Sequence, residues 1–148
     1  GFALARKIAM ISYRSKNSFD EKFGRTQRTN NGKDIFEVES WLNHHGDKII
    51  ERFDANTYLY LSNAMDNHDV AKDRGNIENV LGDIKSPTLA IGISSDILYP
   101  PEEQKEISKL IPNSEYAEIE SIHGHDAFLI EFEQLEKIIK DFFDKNNL

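Results

Sequence analysis

Apolar positions change their spacing once along this 148-residue chain, close to Pro87. Ahead of it they recur at helical intervals. Leu4, Ile8 and Ile11, widened by Phe2, Ala5 and Ala9, predict a helix within residues 1–15. Val38, Trp41, Leu42, His45, Ile49 and Phe53 predict a second, interrupted or bent near Gly46. Asp54, Asn56 and Thr57 supply cap residues before a third, which carries Tyr58–Leu61, Ala64 and Met65. Ile77, Val80, Leu81 and Ile84 predict a short fourth helix that stops before Pro87. The polar stretch Arg14–Asp34, with Gly24 and Asn30-Asn31-Gly32, is expected to be a loop with a short helical turn.

Beyond Pro87 the pattern becomes strand, acidic turn, helix, strand, histidine turn, helix. Thr88–Ser94 is almost entirely apolar, as suits a strand covered on both faces of a larger sheet. Asp96 follows it, and Pro100-Pro101 opens a helix that ends near Ile111-Pro112-Asn113. Ser114–Ser121 reads as the second strand and leads into His123-Gly124-His125-Asp126. Two consecutive parallel strands joined by a helix end on one edge of the sheet. Asp96 and His125 each lie just past such an end, where open α/β sheets place their chemistry.

Taken alone, Asp96 suits a turn or cap and His125 suits a loop histidine. Their shared placement points instead to catalysis, because acid-then-histidine is the second half of the α/β-hydrolase order Ser…Asp…His. The first half, a serine in a G-x-S-x-G turn, does not occur in these residues. The fold class expected is therefore α/β: the C-terminal part of an α/β-hydrolase. Residues 1–86 would be a helical lid with an entry helix, and residues 87–148 the last β-α-β-α of the core.

Composition narrows the partners. The net charge of −8 disfavours nucleic acid, no run is long enough to span a bilayer, and there is no cysteine. Cytoplasm is the default compartment. No metal is expected, since His123, His125 and Asp126 are followed by no further ligands at a usual interval. The chain runs straight from Gly1 into helical periodicity without a cap, so it is expected to be an internal piece of a longer protein.

Five collinear segments resemble the homoserine O-acetyltransferase family of the α/β-hydrolase superfamily. They are GFALARKIAMISYRS at 1–15, FEVESWL at 36–42, RFDANTYLYL at 52–61, SDILYPPEEQ at 95–104 and GHDAFLIE at 124–131. The resemblance covers nearly the whole chain and corresponds to the C-terminal two-fifths of a family member. It implies acetyl transfer from acetyl-CoA, a co-substrate and not a permanently bound cofactor, to the hydroxyl of L-homoserine, a step of methionine synthesis. It makes Asp96 the partner of the general base His125, and Arg6, Tyr13 and Asp126 the substrate contacts. Arg6 offers a fork to a carboxylate and Asp126 accepts from an ammonium, the two ends of an amino acid. Seven residues apart, Arg6 and Tyr13 would share one helical face. The resemblance also implies a homodimer built through the lid helices, and a nucleophile carried by a missing N-terminal segment, without which this piece would be inactive. A succinyltransferase or a hydrolase on the same scaffold, and a non-enzymatic helical dimerisation module, are the alternatives.

Overall fold

Two helices begin the architecture, α1 (Phe2–Ser12) and α3 (Glu37–Arg52), with a short α2 (Lys16–Lys22) between them in the chain. The computed structural model describes residues 1–30 and 32–148. These sort into two units: Gly1–Ser12 with Lys16–His68, and Tyr13–Ser15 with Asp69–Leu148.

In the first unit α1 packs on α3. Gly46 stands at a close approach of the two helices, since a Cβ there would stand 2.7 Å from Lys7 Cε and 3.3 Å from the Ala3 carbonyl oxygen. The expected break at Gly46 is absent, for α3 runs unbroken through it. The glycine serves helix-to-helix contact, and Lys7 Nζ reaches over to Asn43 Oδ1 at 2.6 Å. Phe19, Phe23 and Trp41 form an aromatic cluster with centroids 5.3–6.0 Å apart.

The polar stretch read as a loop holds a hairpin as well as α2. Strand β1 (Gln27–Asn30) pairs antiparallel with β2 (Lys33–Phe36), from Gln27 opposite Phe36 to Asn30 opposite Lys33. Four-residue strands rich in polar side chains show no alternating pattern; only the Asn-Gly pair hints at the turn. Asn31 itself lies outside the described residues. The helix α4 (Ala55–Asp66) starts as expected, with Asp54 accepting from the Thr57 N–H at 2.9 Å.

The second unit holds α5 (Ile77–Gly82), β3 (Thr88–Ile93), α6 (Pro101–Leu110), β4 (Ser114–Ile119), a 3₁₀ turn (Gly124–Leu129) and α7 (Phe132–Asn146). β3 and β4 pair in parallel, Thr88 opposite Ser114 through Ile93 opposite Ile119. Ile93, Ile119 and Ala127 are buried together, with Ile91, Leu135 and Ile138 packed against them. On β4, Tyr116 lies across Gly92, whose lack of a side chain makes room for the phenol. The Tyr116 hydroxyl donates to Glu118, which also takes Lys105 of α6 at 3.1 Å. Burial, then the Glu118 hydrogen bond and charge, push the Tyr116 hydroxyl well above its ordinary value.

One helix does not present both Arg6 and Tyr13. α1 ends at Ser12, whose hydroxyl turns back to the Ala9 carbonyl at 2.9 Å. Tyr13 lies beyond that end and belongs to the second unit, while Arg6 stays on α1 in the first. The periodicity that suggested a shared face continues in the sequence past the point where the backbone turns away.

Candidate active site

Asp96 sits in a tight turn after β3. Its Oδ1 accepts from the N–H groups of Leu98 and Tyr99 at 2.8 and 3.0 Å, and its own N–H bonds the Ile93 carbonyl at 3.0 Å. An aspartate that caps its own turn in this way has one carboxylate oxygen fixed and the other left to aim. That second oxygen, Oδ2, lies 2.8 Å from His125 Nδ1, on the turn after β4. The Asp96 side chain is 4% exposed and that of His125 27%. A carboxylate accepts, so Nδ1 carries a proton, and in the neutral imidazole it is Nε2 that presents the lone pair. An imidazole whose tautomer and orientation are fixed by a buried carboxylate is arranged to take a proton at Nε2.

The two turns are tied by hydroxyls. Ser94 Oγ donates to the Ser121 carbonyl and accepts the Ser121 N–H, at 3.2 and 3.0 Å. Ser95 Oγ accepts the Gly124 N–H at 2.9 Å. Both serines beside Asp96 thus act as struts between strand ends. Ser121 Oγ donates to Glu131 at 2.8 Å, and Gln134 brackets Glu120 through both its amide N–H and its carbonyl.

Aromatic rings surround the imidazole. Tyr13, Tyr99 and Phe128 lie at centroid distances of 5.7, 5.2 and 5.7 Å. A cleft of about 390 Å³ opens beside Asp96 and His125, lined also by Ile91, Tyr99, Gln104, Phe128 and Leu135. Asp126 is 3.5 Å from the Arg14 guanidinium. Among the described residues no group of His, Cys, Asp or Glu is gathered to hold a metal ion, and no helix is long and apolar enough to cross a membrane.

Sequence reasoning missed Arg14, Tyr99, Phe128 and Gly124. Gly124 has φ of +70°, and a Cβ there would come within 2.8 Å of Tyr13 O and Ser15 N. The signal was the glycine between two histidines; what it faces is over a hundred residues away in the chain.

A parallel pair of strands that ends in a fixed acid and a fixed histidine is the C-terminal part of an α/β-hydrolase fold. No protein-family model matches the chain. It is 48% identical over 145 residues to a homoserine O-acetyltransferase of Chlorobium chlorochromatii, a match taking in 98% of this chain and 41% of that one. The same-named protein of Nostoc punctiforme is 50% identical over 145 residues, covering 95% and 40%. Among solved structures, homoserine O-acetyltransferase from Bacillus anthracis superposes with a TM-score of 0.79 at 24% identity, over 95% of this chain and 40% of that one. An acetylester hydrolase from Corynebacterium glutamicum gives 0.77 at 23%, over 97% and 41%. At these identities the two structures speak to fold alone. By sequence the chain belongs to the homoserine O-acetyltransferase family, matching its C-terminal portion. It spans about two-fifths of the length of the curated relatives it matches.

Proposed function

We propose that the full-length protein transfers the acetyl group of acetyl-CoA to the hydroxyl of L-homoserine, with Asp96 and His125 as two members of a Ser-His-Asp triad. The observation that carries this is the 2.8 Å contact of His125 Nδ1 with buried Asp96 at the ends of adjacent parallel strands. The nucleophilic serine comes from outside these 148 residues. Its oxygen attacks the thioester carbonyl as its proton passes to His125 Nε2, and the CoA sulfur leaves with that proton. The homoserine hydroxyl then gives its proton to Nε2 and attacks the acyl-serine, whose oxygen leaves protonated. Arg6 binds the homoserine carboxylate and Asp126 its ammonium, with Tyr13 as a further contact. The lid of residues 1–86, the core of residues 87–148, a homodimer through the lid, a cytoplasmic setting and a place in methionine synthesis belong to the same reading.

Release of CoA thiol from acetyl-CoA and homoserine tests it. His125→Ala or Asp96→Asn is expected to lower kcat roughly 10³–10⁴-fold. Arg6→Ala is expected to raise the homoserine KM about tenfold or more, with little change for acetyl-CoA. Undiminished turnover in His125→Ala would reject the proposal. A hydrolase is the second reading, favoured by the fold shared with the acetylester hydrolase. Acetyl-CoA consumption at the same rate with and without homoserine would establish it.

A further inference from the structure

The segment Tyr13–Ser15 lies directly on the turn that carries His125. The Asp126 N–H donates to the Tyr13 carbonyl at 3.4 Å, and the Ser15 hydroxyl donates to the Ile122 carbonyl. The Arg14 guanidinium stands 3.5 Å from Asp126 Oδ2, with the two side chains 13% and 20% exposed. Gly124 admits this approach, for a Cβ there would meet Arg14 Cα at 2.9 Å. The Tyr13 ring rests against the imidazole.

Other charged and titratable groups stand around His125 on several elements. The acidic turn contributes Asp96 and Tyr99, and the segment above contributes Tyr13 and Arg14. The histidine turn itself carries His123 and Asp126, and Glu131 opens α7 engaged by Ser121 and Gln134. Among these, Asp126 follows His125 directly in the chain, and Arg14 is the cation set against it. A half-buried carboxylate stripped of its cation is costly and favours a protonated neighbour.

We propose that Arg14 is a positioning residue for the general base: through Asp126 it clamps the histidine turn, and it balances the carboxylate next to His125. The proposal rests on the reading of His125 as a base. Arg14→Gln would leave the Asp126 charge unbalanced, so the imidazole would keep its proton at pH values where the native protein works. Arg14→Lys keeps the charge and should restore most of the function. Asp126→Asn added to Arg14→Gln removes the surplus charge and should cancel the electrostatic part.

Hydrolysis of p-nitrophenyl acetate by the full-length protein reads this without any need for homoserine binding. Arg14→Gln is expected to lower kcat about tenfold at neutral pH, with KM within about twofold. The acid limb of its rate profile should move up by about half a pH unit or more, and return in the double variant. A native acid limb in Arg14→Gln, or a loss that Arg14→Lys shares in full, would overturn the proposal. If the native protein does not hydrolyse the ester, its acyl-enzyme waits for an alcohol acceptor, and the reading of His125 as a base is decided by the acetyl-CoA and homoserine assay. Proton NMR of the His125 Nδ1–H then decides on Arg14 alone. Broadening of that resonance in Arg14→Gln, with recovery in Arg14→Lys, supports the clamp, and an unchanged resonance overturns it.

Discussion

Helix-on-helix contact in the first unit and turn-on-turn contact in the second use glycine for opposite ends. At Gly46 a missing side chain lets α1 approach α3, and the nearest obstacle to a Cβ is the end of a flexible lysine. At Gly124 the obstacles are backbone atoms of Tyr13, Arg14 and Ser15, and φ is positive besides. Apolar and aromatic faces like Phe19–Phe23–Trp41 can shift by tenths of an ångström and still exclude water. Hydrogen-bonded turns cannot, because each bond has its own distance and direction. Chemistry that depends on a 2.8 Å contact therefore stands on the second kind of support.

The sharpest way to break this contrast is the same substitution made twice. Gly124→Ala is expected to destabilise the protein by about 2 kcal/mol or more, from left-handed backbone strain and the clash with main-chain atoms. Gly46→Ala should stay within about 1 kcal/mol, since improved helix propensity offsets the displacement of Lys7. Denaturant unfolding of both variants measures this, and equal losses would end the distinction.

A smaller effect separates the two serine struts. Ser95→Ala leaves the buried Gly124 N–H without its acceptor and is expected to cost about 1–3 kcal/mol. Ser94→Ala, at an exposed site, should cost less than about 1 kcal/mol. Parallel melting curves decide it; the opposite order would mean that the outer strut carries the load.

The smallest effect concerns pH. The raised Tyr116 hydroxyl keeps its proton in the folded protein after the unfolded chain has lost it. Its contribution to stability is full below the ordinary tyrosine value, about pH 10, and declines as pH rises beyond that. Tyr116→Phe should therefore flatten the alkaline fall in melting temperature, and an unchanged slope would remove Tyr116 from the account.

Much of the second unit was legible because its signals are local. An apolar run bounded by Pro87 and Asp96 read as a strand, and Pro100-Pro101 read as a helix start; β3 and α6 follow. The contact between Asp96 and His125 spans 29 residues, yet parallel topology alone brings the two turns to one edge. The hairpin of β1 and β2 left no alternation to read. The end of α1 was hidden because Tyr13 continues an acceptable helical sequence, while its carbonyl accepts the Asp126 N–H and the nearby Ser15 hydroxyl reaches the Ile122 carbonyl. The Arg14–Asp126 pair was hidden for the same reason. Basic residues two positions apart, such as Arg14 and Lys16, look alike in a sequence, though one is half-buried beside the histidine turn and the other pairs with Asp20 in solvent.

Gly124 bears on how a saturation mutagenesis map of this protein should be interpreted. With no side chain to react or bind, it is expected to tolerate as few replacements as His125 beside it. A screen scored only on activity would rank the two together. Adding a readout of folded abundance would part them, since only the glycine's variants should also disappear from the soluble fraction. Intolerance in such a map measures how little room a backbone has as much as it measures chemistry.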